Sequence, residues 1–256
     1  MHAEIYLFIL MLIVAFVYGI VIGSFLNVLI YRIPLKENIA TNRSHCMKCG
    51  NQIKWYDLVP LVSYICLRGK CRHCGQKISK QYPLIEGING CGYVLIFAVN
   101  GFSLLSILCC LVFSILIVIS VIDWRTYEIP PSLNLAIGVI GAVRAAVDYE
   151  NLLEYLIGFC AVSGFLLILF LLTKGRGIGG GDIKLMAAAG LFLGWKNVIL
   201  AFMIGTVLGA IIHVTLMKLK GKERMLAFGP YLSAGIFIAM LFGNTIITWY
   251  MSLFNI

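Results

Sequence analysis

The chain has 256 residues, of which 61% are hydrophobic and only 12% charged, with a net charge of +9. A soluble domain carries about 45–50% apolar and about 25% charged residues. A soluble globular protein is therefore excluded, and so is a disordered one, which needs low hydrophobicity. What remains is an all-α, polytopic membrane protein, and the length admits about eight crossings of about 20 residues each.

In chain order, apolar runs occur at Ile5–Tyr31, Leu84–Val99, Phe102–Ile122, Leu133–Val147, Leu152–Leu172, Ile183–Trp195, Val198–Met217 and Phe228–Leu253. Each reads as a helix, because an open segment in lipid must satisfy its own backbone hydrogen bonds. The second, fourth and sixth runs are short, and Ile183–Trp195 falls below the roughly 17-residue minimum for a clean crossing. No Lys or Arg precedes the first run and no small-residue cleavage site follows it, so a cleaved signal peptide is not expected.

Eight crossings put residues 32–83, 123–131, 173–182 and 218–227 on one side. Of the 20 Lys and Arg, all but Arg144 and Lys196 fall there, counting Lys184 just inside the sixth run. The basic side is expected to be the cytoplasm, which leaves both termini outside. The charge is then a topology signal, and no nucleic-acid partner is expected.

Nine cysteines divide into two groups. Cys66, Cys91, Cys109, Cys110 and Cys160 lie in apolar sequence and read as small buried hydrophobes. The other four form two C-x-x-C pairs, Cys46/Cys49 and Cys71/Cys74, each followed by a glycine, Gly50 or Gly75. That pattern predicts a four-cysteine zinc site in the cytoplasmic loop 32–83. Two disulfides are the competing reading, disfavoured in a reducing compartment. Four thiolates leave no place for a water nucleophile, so the zinc is expected to be structural. His45 and His73, beside the ligands, are expected to be exposed loop residues.

Acidic residues in or beside membrane spans are costly and mark functional candidates. Glu86, Asp123 and Asp182 qualify. Asp123 closes the third run and Asp182 stands at the mouth of the sixth, after Gly179-Gly180-Gly181, both at the cytoplasmic margin. Two carboxyls at equal depth on neighbouring helices can share one proton and activate water. The plain readings are an Asp123–Arg125 pair and an Asp182 helix cap. A dense glycine run before Asp182 predicts a loose loop. Gly177–Lys184 is not a P-loop, H-E-x-x-H is absent, and a Ser163–His213 pair reads better as helix-packing hydrogen bonders.

Four blocks now carry a resemblance to the type IV prepilin peptidases, a branch of the GxGD intramembrane aspartyl proteases. They are Gly23–Pro34; the paired-cysteine loop with Trp55-Tyr56-Asp57, running into Tyr82–Glu86; Asp123–Pro130; and Gly179–Leu185 followed by Gly194-Trp195. Pro131 departs from the family pattern, where an acidic or amide residue is common. The resemblance implies cleavage of the basic leader from prepilin or pseudopilin substrates at the cytoplasmic face of the bacterial inner membrane, with Asp123 and Asp182 as the catalytic pair. It also implies N-methylation of the new N-terminus with S-adenosylmethionine, with Glu86 and Gly90 at methyltransferase-linked, cofactor-binding positions. The expected division is residues 1–101, with the zinc loop and the methyltransferase part, and residues 102–256, a six-span peptidase core. A loop lysine is the plain partner for Glu86. Two other classes stay open: a non-catalytic membrane anchor whose zinc module docks a cytoplasmic partner, and a transporter using the carboxylates as a proton relay.

Overall fold

The computed structural model describes residues 2–39, 44–175, 177–220 and 226–253. Arg43, Arg176, Lys222 and Arg224, counted above in the basic segments, lie outside the described residues. Helices are α1 (His2–Leu35), α2 (Val62–Cys66), α3 (Gln81–Asn100), α4 (Leu104–Thr126), α5 (Pro131–Val147), α6 (Leu152–Leu172), α7 (Gly180–Leu193), α8 (Trp195–Lys220) and α9 (Gly229–Ser252), with a 3₁₀ turn at Trp55–Leu58. The chain forms two compact units, Met1–Ser106 and Ile107–Ile256.

Among the described residues, six helices are long and apolar enough to cross a membrane: α1, α3, α4, α6, α8 and α9. The second run, short in the apolar count, gains a polar first turn and reaches 20 residues. The fourth and sixth runs, α5 and α7, have 17 and 14 residues. At 1.5 Å per residue α7 spans about 21 Å, against a hydrocarbon core of about 30 Å. Trp195 does not belong to it. Gly194, at φ +79°, ends α7 and hands the chain directly to α8.

In the first unit α1 packs along α3. Gly19 and Gly23, one turn apart on α1, face the backbone of Gly90 and Glu86, and a Cβ on either glycine would come within 2.7 Å of an α3 Cα. Small residues at such a spacing let membrane helices approach closely. Asn89 seals the contact by donating to the Gly19 carbonyl at 2.7 Å.

In the second unit α7 is the hub, packed by α5, α6, α8 and α9. Leu185, Met186 and Phe192 on it are fully buried. Its neighbours surround it, so most of its side chains are buried or half-buried against other helices. A Cβ on Gly158 of α6 or Gly190 of α7 would overlap the other's carbonyl oxygen, so the two backbones touch where they cross. At its far end, the Arg144 guanidinium stacks on the rings of Phe192 and Tyr155, whose hydroxyl donates to Asp148 at 2.6 Å.

Candidate active site and metal centre

Asp123 sits in the last turn of α4, buried to 5% exposure. Its Oδ2 accepts the backbone N–H of Gly229 at 2.8 Å. Gly229 begins α9, followed by Pro230, so the carboxylate takes the first N–H of the helix and faces the positive end of its dipole. A Cβ at Gly229 would stand 2.9 Å from that oxygen. Only glycine permits this approach without a shift.

Asp182 lies in the first turn of α7, behind Gly179 at the N-cap. Its carboxyl reaches back to the Gly179 N–H, while its own N–H donates to the Gly179 carbonyl at 3.1 Å. This is the return arm of a capping box. The plain reading of Asp182 as a helix-end residue thus holds in part, from the third helical position. Asp182 also lies near enough to Asp123 to feel its charge. The structure therefore brings the two carboxyls within electrostatic range of each other in the second unit.

The turn after α4 locks that arrangement. Tyr127, at φ +56°, donates to the Asp123 carbonyl at 2.9 Å and turns the chain. Ile129 then lies against Gly181, where a Cβ would be 2.9 Å from the isoleucine Cβ. Asn134 of α5 donates to the Gly181 carbonyl at 3.2 Å, and its own Oδ1 is buried without a partner. The glycine run is thus packed on one side rather than loose. Pro131 opens α5 at its first position, where a missing N–H costs nothing. Gly229 and Asn134 were not singled out from the sequence. Gly229-Pro230 before an apolar run signals a helix start, but nothing local says which carboxylate it meets. The Ser163 hydroxyl is turned to the Phe159 carbonyl of its own helix.

In the first unit, the sulfurs of Cys46, Cys49, Cys71 and Cys74 all lie within 4.8 Å of one another. The knuckles are twins. Cys46 N–H donates to the Asn51 carbonyl and Gly50 N–H to Cys46; Cys71 N–H donates to Gln76 and Gly75 N–H to Cys71. Gly50 and Gly75 share φ +68°, a left-handed turn that suits glycine. The Cys46–Cys74 sulfur separation is 3.9 Å. A tetrahedral zinc with Zn–S near 2.3 Å needs sulfur–sulfur edges of about 3.8 Å, so the set fits that ion. All nine cysteines are free. Backbone N–H groups of Cys49 and Lys48 pull the Cys46 thiol down to about 6. Cys74 is helped by the Gln76 N–H, yet burial and the three other thiols push it up to about 11. His45 and His73 are exposed. Arg72 grips Asp57 through Nε at 2.9 Å and Nη2 at 2.7 Å, tying the second knuckle to the 3₁₀ turn and holding the Asp57 carboxyl below its usual range.

Beside the knuckles lies a cavity of about 760 Å³, lined by both cysteine turns, by α1 from Ser24 to Arg32, and by Tyr82 and Glu86 of α3. Glu86 is 5% exposed. Its Oε2 accepts the Leu61 N–H at 2.8 Å, and Ser24 is a second partner. The partners found are thus a backbone amide and a hydroxyl rather than a loop lysine. Gly90 does not line the cavity. It lies one turn deeper, where a Cβ would meet Ile20 at 2.7 Å and the Phe16 ring at 2.8 Å.

Residues 17–100 match the Bacterial Peptidase A24 N-terminal domain, and residues 110–214 match the Type IV leader peptidase family. The Prepilin leader peptidase/N-methyltransferase of Burkholderia pseudomallei is 34% identical, over 90% of this chain and 85% of that protein. The protein of the same name from Bacillus subtilis is 32% identical, over 95% of this chain and 99% of its own length. That from Legionella pneumophila is 32% identical over 94% of each. No solved structure matches the chain. Two family domains in order, and relatives of this identity along nearly the whole length, show that the chain belongs to the type IV leader peptidase family.

Proposed function

We propose that Asp123 and Asp182 are the paired carboxyls with which this leader peptidase removes the leader from prepilin or pseudopilin substrates, at the cytoplasmic face of the bacterial inner membrane. The observation that carries the reading is their meeting: one carboxylate lies against the start of α9, the other in the first turn of α7, within electrostatic reach. Two carboxyls brought over one water molecule can divide the work, one ionised as base and one protonated as acid. The ionised one takes a proton from water as the water oxygen attacks the scissile carbonyl carbon, and the protonated one gives its proton to the carbonyl oxygen. Collapse of the tetrahedral diol breaks the C–N bond, and the amine leaves with a proton returned by the dyad. The chain forms no covalent bond to the substrate.

Co-expression with a prepilin tests this. Asp123→Asn and Asp182→Asn are each expected to abolish leader cleavage at unchanged protein level. Cleavage near the wild-type rate in either variant rules the pairing out.

The second activity, methylation of the new N-terminal amine, belongs in this reading to residues 1–101, and cleavage to residues 102–256. S-adenosylmethionine would supply an electrophilic methyl group. The first unit's cavity suits it: about 760 Å³, with rings at Tyr31 and Tyr64 for an adenosyl group and cations at Lys54 and Lys77 for a carboxylate. Glu86 holds the substrate ammonium and accepts its proton, leaving a nucleophilic amine. Gly90 acts by position, keeping α1 close to α3 and Glu86 at the cavity floor. A zinc ion on Cys46, Cys49, Cys71 and Cys74 is structural, supplying folding energy to a loop with little core. The basic segments lie in the cytoplasm and both termini outside, and nucleic acid is no partner.

A further inference from the structure

Residues 55–66 carry an apolar surface that the described residues of the first unit leave open. Trp55 is 80% exposed, Ile65 73% and Val62 55%, with Leu58 and Val59 exposed beside them. The 3₁₀ turn and α2 hold these side chains on an ordered backbone. One hydrogen bond sets the depth of the segment, from the Leu61 N–H to Glu86. Glu86 is five residues into α3, about 7.5 Å along the axis from Gln81. The 20 residues of α3 measure about 30 Å, the thickness of the hydrocarbon core, so Gln81 stands at the edge of the core and Glu86 about 7.5 Å within it, inside the depth of about 5–10 Å to which interfacial segments bury an apolar face. The segment is held at that level. Cations bracket it, Lys54 on one side and Arg68 and Lys70 on the other. An apolar stretch edged by Trp and flanked by Lys and Arg has the make-up of a segment that lies in the interfacial plane.

We propose that residues 55–66 are an interfacial membrane anchor, with Trp55, Val62 and Ile65 embedded at the headgroup–acyl boundary and Lys54 and Arg68 set against anionic phospholipid headgroups. The segment joins the two cysteine knuckles, and Arg72 ties the second knuckle to it through Asp57. Anchoring it therefore holds the metal module and the neighbouring cavity to the bilayer surface. This inference is independent of how the carboxyls of the second unit act.

The test uses the native chain in nanodiscs of phosphatidylethanolamine and phosphatidylglycerol, doped with a phospholipid carrying a diazirine high on one acyl chain. After photolysis, mass spectrometry maps the adducts. Residues 55–66 are expected to label as strongly as the lipid-facing start of α1, and several-fold more than the knuckle peptide around Met47. Labelling no stronger than at the knuckle overturns the proposal, whether water or another protein covers the surface. Replacing phosphatidylglycerol by phosphatidylcholine is expected to lower the yield at 55–66 and not at α1; an unchanged yield overturns the electrostatic part. A Trp124→Phe, Trp195→Phe, Trp249→Phe variant, which keeps Trp55 as its one tryptophan, supplies a second reading. Acyl-chain bromine is expected to quench its emission and aqueous acrylamide to leave it, and the reverse preference refutes the anchor.

Discussion

Replacing Gly229 by alanine puts a methyl group where the structure has almost no room. The new Cβ would stand 2.9 Å from Asp123 Oδ2, 3.1 Å from its Cγ and 3.2 Å from its Cβ. These separations are several tenths of an ångström inside van der Waals contact, and the whole carboxyl group, not one flexible end, must give way. The movement strains or breaks the 2.8 Å bond from the Gly229 N–H. A hydrogen bond to a charged group contributes about 1.5–3 kcal/mol. At 1.36 kcal/mol per factor of ten, that loss corresponds to a cleavage rate lower by about 10- to 100-fold. Misplacing a catalytic group by about 1 Å costs a similar factor. The α9 backbone itself tolerates alanine, since position 229 has no positive φ. The overpacking and the lost bond act on the folded state as well, so stability is expected to fall by about 1–3 kcal/mol, a lower melting temperature in a chain that still folds. Single-turnover leader cleavage in proteoliposomes, run beside thermal unfolding, separates the two effects. Wild-type cleavage by Gly229→Ala would refute the assignment of Asp123, because no reacting carboxyl should survive that crowding unharmed.

Four further outcomes follow from the two units. Asn134→Ala removes the bond to the Gly181 carbonyl and also an unpaired buried oxygen, so stability should stay within about 1 kcal/mol while cleavage slows, which denaturation and single-turnover assays check together. Gly90→Val drives a side chain into Ile20 and Phe16; overpacking costs about 1–3 kcal/mol, and methylation measured by mass spectrometry should fall while leader cleavage persists. For the cysteine module, elemental analysis should find about one zinc per chain, lost in Cys71→Ser. Arg72 depresses the Asp57 carboxyl, so their bond contributes stability that is present above the unfolded carboxylate pKa, about 3.9. That stability disappears as pH falls through the lower folded value. Proteolysis of residues 50–75 should therefore accelerate in acid, and the Asp57→Asn variant should lack that pH step.

Much of this protein could be read from local pattern. Apolar runs of membrane length must become helices, because lipid offers the backbone no partners. The two cysteine turns were equally legible, since a C-x-x-C followed by glycine closes each knuckle through contacts a few residues apart. Asp123 and Asp182 stood out because carboxylates beside apolar runs are rare. Local sequence could not choose their surroundings. Asp123 meets a helix start 106 residues further on. Glu86 takes a backbone amide from Leu61, 25 residues earlier, where a lysine was expected. Gly181, read as a source of looseness, is fixed between Ile129 and Asn134. The 14-residue α7 is held by four other helices that its own residues do not name. Hydrogen bonding along one helix depends on neighbours in the chain, so composition and period decide it. Close approach between helices depends on which small residues face each other across the packed interior, and only the assembled tertiary structure decides that.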